Sequence, residues 1–240
     1  TRSRWVEHRY PRRMIGVYDS GVGGLSVLRE IRRLLPDADL FYLADQANVP
    51  YGELPIAEVR DLATQAVEVL AGLGADPIVV ACNTASAEAL KRIQREYLPF
   101  SYSGRRVLGV LTPAAEEAAK HTKTRRIGVL ATRGTVFSSA FAAEIEKLLP
   151  QSFVFQQATP LLVPLIENRG EKWIDAVLDE YLAPLRFARI DTLILTGGST
   201  QVPAIMAMLQ RRLPQARIVE ADAFGSVGIG LALDARRKFG

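Results

Sequence analysis

The chain has a single cysteine, Cys82, among its 240 residues. One cysteine excludes an internal disulfide, which is what we expect of a protein from the reducing cytoplasm. The two histidines, His8 and His121, lie far apart in sequence and lack the spacing of metal ligands, so we expect no metal site. No apolar run approaches the ~18 residues of a membrane span, so we expect no membrane partner.

The sequence outside its first 13 residues has no net charge. Residues 1–13 contain five Arg and one Glu, whereas the remaining residues carry 25 basic and 25 acidic side chains. The formal net charge of +4 therefore belongs to a basic tail that precedes Met14, and we expect this tail to lie outside the fold. A neutral body indicates that nucleic acid is not a partner.

Short runs rich in Ile, Val and Leu alternate with longer amphipathic stretches, and no Gly/Ser-rich linker divides them. This alternation is typical of an α/β protein with buried parallel strands. Strands are predicted at 14–18, 39–44, 77–81, 106–111, 126–131, 152–158, 191–196 and 216–220. Helices are predicted at 24–35, 56–73, 85–97, 113–121, 136–148, 160–186 with a break near Gly170, 203–213 and 222–237.

Two pairs of segments are similar to each other. "RMIGVYDSGVGG" at 13–24 resembles "RRIGVLATRGT" at 125–135, and "DPIVVACNTAS" at 76–86 resembles "DTLILTGGST" at 191–200. The echo predicts two pseudosymmetric, doubly wound α/β lobes whose parallel sheets face each other across a central cleft. We expect residues 14–105 and 214–240 to form the first lobe and residues 106–213 to form the second.

Ligands of open α/β sheets bind beyond the carboxyl ends of the strands, so the residues after each strand are the candidates for a site. Small hydroxyl and amide side chains gather there, with few Lys or Arg residues. This composition favours a small carboxylate held by backbone N–H groups and hydroxyls over a polyphosphate. The candidates are Asp19, Ser20, Asn83, Thr84, Thr132, Thr135, Ser199 and Thr200.

Cys82 lies where an apolar strand ends and a polar helix start begins. A thiolate is favoured at such a helix N-terminus, and a thiolate can act as the base that removes the α-proton of an amino acid. Asp19, at a neighbouring strand end, can hold or relay a proton. No strand-end Lys is placed to carry pyridoxal phosphate, so we expect no cofactor.

Three motifs resemble those of bacterial glutamate racemases. They are "IGVYDSGVGGLSVLREIRRLLP" at 15–36, "YLADQANVPYG" at 42–52 and "ACNTASAEAL" at 81–90. The resemblance continues more weakly over nearly all of 14–240. It implies two α/β lobes, no cofactor, the interconversion of L- and D-glutamate for peptidoglycan synthesis in the cytoplasm, and a dimer, which is common in that family.

The resemblance also implies roles for individual residues. Cys82 corresponds to the first of the family's two catalytic cysteines, with Asp19 beside it. The residues expected to contact the amino-acid substrate are Ser20, Pro50, Tyr51, Gly52, Asn83, Thr84, Thr135 and Thr200.

The second catalytic motif departs from the family pattern, which reads Leu-Gly-Cys-Thr-His followed by an aromatic residue and Pro. Anchoring "ILTGGSTQVP" on Pro203 places Ser199 at the cysteine, Thr200 at the threonine and Gln201 at the histidine. A serine hydroxyl is a much weaker acid than a thiol and needs a neighbouring base, which Gln201 does not supply. Glu167, in "PLIEN", matches a family glutamate near the second cysteine. In this interpretation Glu167 partly compensates for the missing base beside Ser199.

Three functions therefore remain open from the sequence. The chain is a glutamate racemase weakened by Ser199, a non-racemising protein that binds glutamate or another carboxylate, or a one-cysteine enzyme that works on one face of the substrate. The turn at Gly197 also resembles the adenosine-side glycine motif of heat-shock-70 and actin-type ATPases, but no companion phosphate loop accompanies it.

Each candidate residue also has a purely structural interpretation. Cys82 would then be a small core residue. Asp19 would cap the helix that follows it, and Ser199 with Thr200 would cap the helix predicted at 203–213. Glu167 would be a solvated helix residue.

Overall fold

The computed structural model describes residues 14–168, 170–197 and 202–220. In this part of the chain, parallel strands form two four-stranded sheets. The strands are β1 (Met14–Asp19), β2 (Asp39–Ala44), β3 (Ile78–Val80), β4 (Val107–Gly109), β5 (Arg126–Ala131), β6 (Phe153–Ala158), β7 (Thr192–Leu195) and β8 (Arg217–Glu220). The tail at 1–13 and the helix predicted at 222–237 lie outside the described residues.

Helices of the α type connect the strands. They are α1 (Leu25–Leu34), α2 (Ile56–Gly72), α3 (Asn83–Glu88), α4 (Leu90–Arg92), α5 (Leu98–Ser101), α6 (Leu111–His121), α7 (Arg133–Phe137), α8 (Ala140–Leu148), α9 (Leu162–Glu167), α10 (Glu171–Phe187) and α11 (Pro203–Arg212). A π-helical turn (Ile93–Tyr97) joins α4 to α5, and short 3-10 turns lie at Gln46–Asn48 and Tyr51–Glu53. None of the described helices is long and apolar enough to cross a membrane.

The two sheets have the same strand order. The first runs β2-β1-β3-β4 and the second β6-β5-β7-β8. This arrangement confirms the predicted fold class of two similar α/β lobes. The lobe boundaries need correction at two strands, because β4 pairs with β3 in the first sheet and β8 pairs with β7 in the second. The expectation had placed β4 in the second lobe and β8 in the first.

The first sheet is buried on both faces. On one face, Tyr18 and Val80 pack against Val59 and Ala63 of α2. Successive residues of a strand point to opposite faces, so the other face carries Val17, which clusters with residues of α1. Burial of both faces explains why the strands read as continuous apolar runs rather than as alternating ones.

The second sheet is covered in the same way. Leu193 packs with Leu182 of α10 and Leu209 of α11 on one face. Val129 packs with Phe141 of α8 on the other, where α6 also contributes. All strands of each sheet are parallel, so their carboxyl ends lie together at one edge.

Two helices differ from their predicted bounds. The helix predicted at 85–97 begins at Asn83 and is broken between α3 and α4, and the π-helical turn follows. The helix predicted at 136–148 is two helices, α7 and α8, because Ser139 between them has a left-handed backbone with φ of 53°. The break predicted near Gly170 is confirmed, since α9 ends before it and α10 begins after it.

Candidate active site

Cys82 lies at the carboxyl end of β3, in the position directly before α3. Its side chain is 5% exposed. The Cys82 sulfur accepts a hydrogen bond from the backbone N–H of Ala85, at 3.4 Å, and lies 3.4 Å from the hydroxyl oxygen of Ser20. The thiol is therefore the N-cap of α3 and also contacts the turn that follows β1.

The electrostatic surroundings of Cys82 favour the thiol. Burial raises the pKa of Cys82, and the nearby charge of Asp19 raises it further, to about 11. The hydrogen bonds from Ser20 and Ala85 lower the pKa, but they do not offset burial. The helix N-terminus acts in the expected direction, since the N–H of Ala85 lowers the pKa of Cys82, but burial outweighs this contribution.

Asp19 ends β1 and holds the turn into α1. Its carboxylate accepts backbone N–H bonds from Gly21, at 3.0 Å, and from Gly24, at 3.2 Å. Burial raises the pKa of Asp19, while the backbone donors act in the opposite direction. Asp19 therefore holds the turn that leads into α1, and it also lines the cleft beside Cys82.

Glycine is required at the start of α1 because the backbone comes close to the site. A Cβ atom on Gly24 would lie 2.8 Å from the Cβ of Asp19 and 2.9 Å from that of Ala81. These distances are shorter than real Cβ contacts, so a side chain at Gly24 would displace Asp19 or the strand that leads to Cys82.

Three threonine hydroxyls join the two lobes. Thr84, on α3 of the first lobe, lies 2.9 Å from the hydroxyl of Thr132, which follows β5 of the second lobe. Thr135 donates to Thr84 at 3.4 Å and lies 3.1 Å from Thr132. Thr132 and Thr84 line the cleft, whereas Thr135 is fully buried behind them. Thr135 therefore supports the cleft wall in this arrangement and does not face the cleft.

A cleft of about 360 Å³ lies between the lobes at these strand ends. None of the described residues that line it is Lys, Arg or His, as expected for a site that binds anions through N–H groups and hydroxyls. The polar side chains in its wall are Asp19, Ser20, Tyr51, Cys82, Asn83, Thr84, Thr132 and Thr196. A larger depression, of about 570 Å³, lies at the surface around 94–108 and contains none of the candidate residues.

The structure brings most of the sequence-predicted residues into this one cleft. Its wall contains Asp19, Ser20, Pro50, Tyr51, Gly52, Cys82, Asn83 and Thr84. Ser199 and Thr200 lie outside the described residues, as does Gln201. Glu167 ends α9, and its side chain is also outside the described part.

Thr132, one of the strand-end candidates, also lies in the cleft wall, where it follows β5 as Asp19 follows β1. Other cleft residues were not among the candidates from the sequence. The second lobe also contributes an apolar wall of Val163, Ile166 and Val202. These three residues lie on or beside helices, where periodicity alone does not separate a cleft wall from a core face. In the described residues, no group of three or more His, Cys, Asp or Glu side chains could hold a metal ion.

Two similar α/β lobes with a thiol in the cleft between them are the arrangement expected of a cofactor-independent amino-acid racemase. Comparisons with known proteins identify the same class. A family model described as Asp/Glu/Hydantoin racemase matches residues 15–223. The chain is 38% identical over 211 residues to the glutamate racemase of Persephonella marina, covering 87% of this chain and 78% of that protein. It is 39% identical over 213 residues to that of Desulforudis audaxviator, covering 87% and 75%.

Solved structures agree with this class. Glutamate racemase isoform RacE1 from Bacillus anthracis superposes with a TM-score of 0.84 at 33% identity, over 96% of this chain and 84% of that one. The glutamate racemase of Francisella tularensis, solved with D-glutamate, gives a TM-score of 0.81 at 28% identity, over 95% and 82%. The chain belongs to the glutamate racemase family.

Proposed function

We propose that this protein interconverts L- and D-glutamate by cofactor-independent transfer of the α-proton, in the cytoplasm and for peptidoglycan synthesis. The observation that carries the proposal is the position of Cys82. In a chain of the glutamate racemase family, its thiol lies at a strand end, in the wall of the inter-lobe cleft, with Ser20 and the N-terminus of α3 as hydrogen-bond partners.

On one face of the substrate, the Cys82 thiolate takes the α-proton. The Cα–H bond breaks, an S–H bond forms, and the electron pair left on Cα delocalises into the α-carboxylate. Asn83 and Thr84, adjacent to Cys82 on α3, are the groups that hold this carboxylate. Hydrogen bonds to an anion that gains charge in the transition state lower the barrier.

Substrate binding changes the state of the thiol. The raised pKa of Cys82 keeps its proton on sulfur in the cleft without a ligand. An amino acid brings an ammonium group, and a positive charge within ~4–6 Å favours the thiolate. In this proposal Asp19 assists the transfer at Cys82, and its hydrogen bonds to Gly21 and Gly24 fix its position.

The other face of the substrate is served by Ser199 in this proposal, with or without Glu167. A serine hydroxyl gives up its proton far less readily than a thiol, so complete racemisation is slower than proton exchange at the Cys82 face. The difference between a thiol on one face and a hydroxyl on the other is the reason for a second candidate function. In it, the chain is a one-cysteine enzyme or a glutamate-binding protein that keeps the first-lobe site. Thr200 is the remaining side chain that binds the substrate in this proposal. The proposed assembly is a homodimer of two copies of the chain.

Proton NMR of L-glutamate and of D-glutamate in D₂O tests the proposal, with the parent protein beside Cys82→Ala. We expect the α-proton signal to disappear with the parent and to persist with the variant. Appearance of the opposite enantiomer identifies a racemase, whereas exchange of one enantiomer alone identifies the one-cysteine enzyme. No exchange of either enantiomer at high protein concentration would contradict both enzymatic functions and leave the binding protein.

A further inference from the structure

A chain of buried hydroxyl groups lies directly behind the first-lobe wall of the cleft. Tyr18 of β1 is fully buried, and its hydroxyl oxygen lies 2.7 Å from that of Tyr51. The Tyr51 hydroxyl lies 2.6 Å from a carboxylate oxygen of Asp45, which follows β2. The side-chain amide of Asn48 donates to both oxygens of the same carboxylate, at 3.0 Å each.

The direction of the hydrogen bonds follows from the groups involved. An ionised carboxylate accepts hydrogen bonds and donates none, so Tyr51 donates to Asp45. Tyr51 has one hydroxyl proton, so it accepts from Tyr18, which donates. Both hydroxyl protons therefore point along the chain towards Asp45, and the proton of Tyr51 is not free to bind a ligand in the cleft.

The hydroxyl chain ties together three backbone segments at the cleft. Tyr18 belongs to β1, Asp45 follows β2, and Tyr51 begins the 3-10 turn that carries Gly52. Gly52 is packed closely against the second lobe, since a Cβ atom there would lie 2.5 Å from the Cβ of Thr132. The position of Tyr51 therefore determines where the first-lobe wall meets the second lobe.

We propose that Tyr18 and Asp45 are positioning residues that act through Tyr51 and fix segment 49–52 in the shape that receives the ligand. The identity of the ligand as glutamate rests on the function proposed above. Burial raises the pKa of both tyrosines, so neither hydroxyl ionises at neutral pH. The hydroxyl chain therefore orients the first-lobe wall of the cleft and does not supply the proton that is transferred.

The test uses Tyr18→Phe and Asp45→Asn, with Tyr97→Phe as the matched control. Tyr18→Phe removes one hydroxyl, and Asp45→Asn keeps the shape but removes the charge. Tyr97 lies on the π-helical turn of the same lobe and does not line the cleft. Cys82 is the only cysteine, so alkylation by iodoacetamide reports on this site alone.

Two quantities are measured for each protein. The first is amide hydrogen exchange in segment 49–53, with α8 as the internal reference. The second is the glutamate concentration that halves the alkylation rate of Cys82. Loss of a buried hydrogen bond is expected to speed exchange in segment 49–53 about fivefold and to raise the half-protecting concentration by a similar factor. The effect of Asp45→Asn is expected to be the larger, because a bond to a charged group is lost.

Exchange rates in 49–53 that match those of Tyr97→Phe in both variants would overturn the inference. Faster exchange with an unchanged half-protecting concentration would also overturn it, because the hydroxyl chain would then be structural only. Failure of glutamate to protect the parent protein contradicts the proposed function instead. The exchange measurement alone then decides whether the chain fixes the segment.

Discussion

At the scale of single residues, burial and the charge of Asp19 hold the pKa of the Cys82 thiol at about 11. Two neighbours act on Cys82 in opposite directions. Ser20 stabilises the thiolate by hydrogen bonding, whereas Asp19 disfavours it by charge. Burial is the largest influence on the pKa of Cys82, and the reactivity of the thiol responds to the charge of Asp19 in addition.

The first prediction concerns the pH dependence of that reactivity. The rate of Cys82 alkylation by iodoacetamide should rise continuously from about pH 8 to pH 10 without levelling off, because its pKa is about 11 and only the thiolate reacts. Asp19→Asn removes a charge that raises this pKa. We therefore expect alkylation about 3- to 10-fold faster at neutral pH, since one pKa unit is tenfold in thiolate.

Asp37→Asn is the control for this experiment, because Asp37 is exposed and does not line the cleft. Equal alkylation rates for Asp19→Asn and Asp37→Asn would show that the Asp19 charge does not act on the thiol. In the racemisation assay the same Asp19→Asn variant should be slower than the parent, because Asp19 assists the proton transfer in the proposed mechanism. Opposite changes in the two assays separate thiol reactivity from proton transfer.

The second prediction concerns the other face of the substrate. Ser199→Cys should increase the rate of racemisation by at least about 100-fold, because a thiol replaces a much weaker acid at the position of the second base. Circular dichroism of glutamate at fixed enzyme concentration measures the rate. Ser103→Cys adds an exposed thiol elsewhere in the first lobe and should leave the rate unchanged. If the two variants racemise equally, Ser199 does not face the substrate.

At the scale of strands and helices, local sequence determined most of the architecture. Every predicted strand is present within one or two residues of its expected bounds, because buried parallel strands are short apolar runs with clear ends. The break at Ser139 was not predictable, since a left-handed backbone at a serine depends on its neighbours in the fold. The raised pKa of Cys82 was not predictable either, because burial is a property of the packed structure.

Asp191 shows how one side chain fixes the start of a strand. It accepts hydrogen bonds from the hydroxyl of Thr122, at 2.6 Å, from the backbone N–H of Lys123, at 2.7 Å, and from the hydroxyl of Thr124, at 2.8 Å. Burial raises the pKa of Asp191, but these donors outweigh it and leave the pKa at about 2. The carboxylate thereby ties the loop before β5 to the residue directly before β7.

The third prediction follows from that low pKa. Asp191→Asn should lower the melting temperature near pH 7 by about 2–4 °C, the shift expected for ~1 kcal/mol in a chain of this size. A carboxyl group with a depressed pKa stabilises the fold above its unfolded-state pKa, and this contribution is lost as the pH falls through the folded value. The difference between parent and variant should therefore shrink between about pH 4 and pH 2. Calorimetry across this range, with Asp37→Asn as control, tests it, and a constant difference would contradict it.

At the scale of the whole molecule, function depends on how closely the two lobes meet. Thr84 contacts Thr132 across the cleft, and Arg133 forms an ion pair with Glu53 at 3.2 Å beside it. The ion pair is half-exposed and contributes little by itself, since exposed pairs are worth ~0–1 kcal/mol. Gly52 also approaches Thr132 closely, because glycine has no side chain to hold the two apart.

The fourth prediction tests that approach. Gly52→Ala would place a Cβ atom 2.5 Å from the Cβ of Thr132, so Thr132 or the turn that carries Gly52 must shift. We expect glutamate to protect Cys82 at least about tenfold less well, since a ~1 Å misplacement of a substrate-positioning group can cost about 100-fold in rate. Gly72→Ala is the control, because a Cβ there would meet nothing within 4 Å. Equal protection in the two variants would show that the lobes tolerate the extra methyl group.

The pairing of strands across the chain was the part of the architecture that the sequence did not reveal. The internal echo correctly indicated two lobes, but β4 and β8 were placed with the wrong sheets. Apolar runs identify a strand without identifying its partner, because pairing depends on contacts between residues distant in sequence. The hydroxyl chain from Tyr18 to Asp45 was hidden for the same reason, since 27 positions separate its ends.

The shared order of the two sheets, β2-β1-β3-β4 and β6-β5-β7-β8, also has a historical meaning. Two halves with one topology, joined in tandem, are what duplication and fusion of a half-length gene produce. After such a fusion each copy mutates on its own, whereas a symmetric assembly of identical chains changes both copies at once. A thiol at Cys82 in one half and a hydroxyl at Ser199 in the other is a difference that an assembly of identical chains could not show.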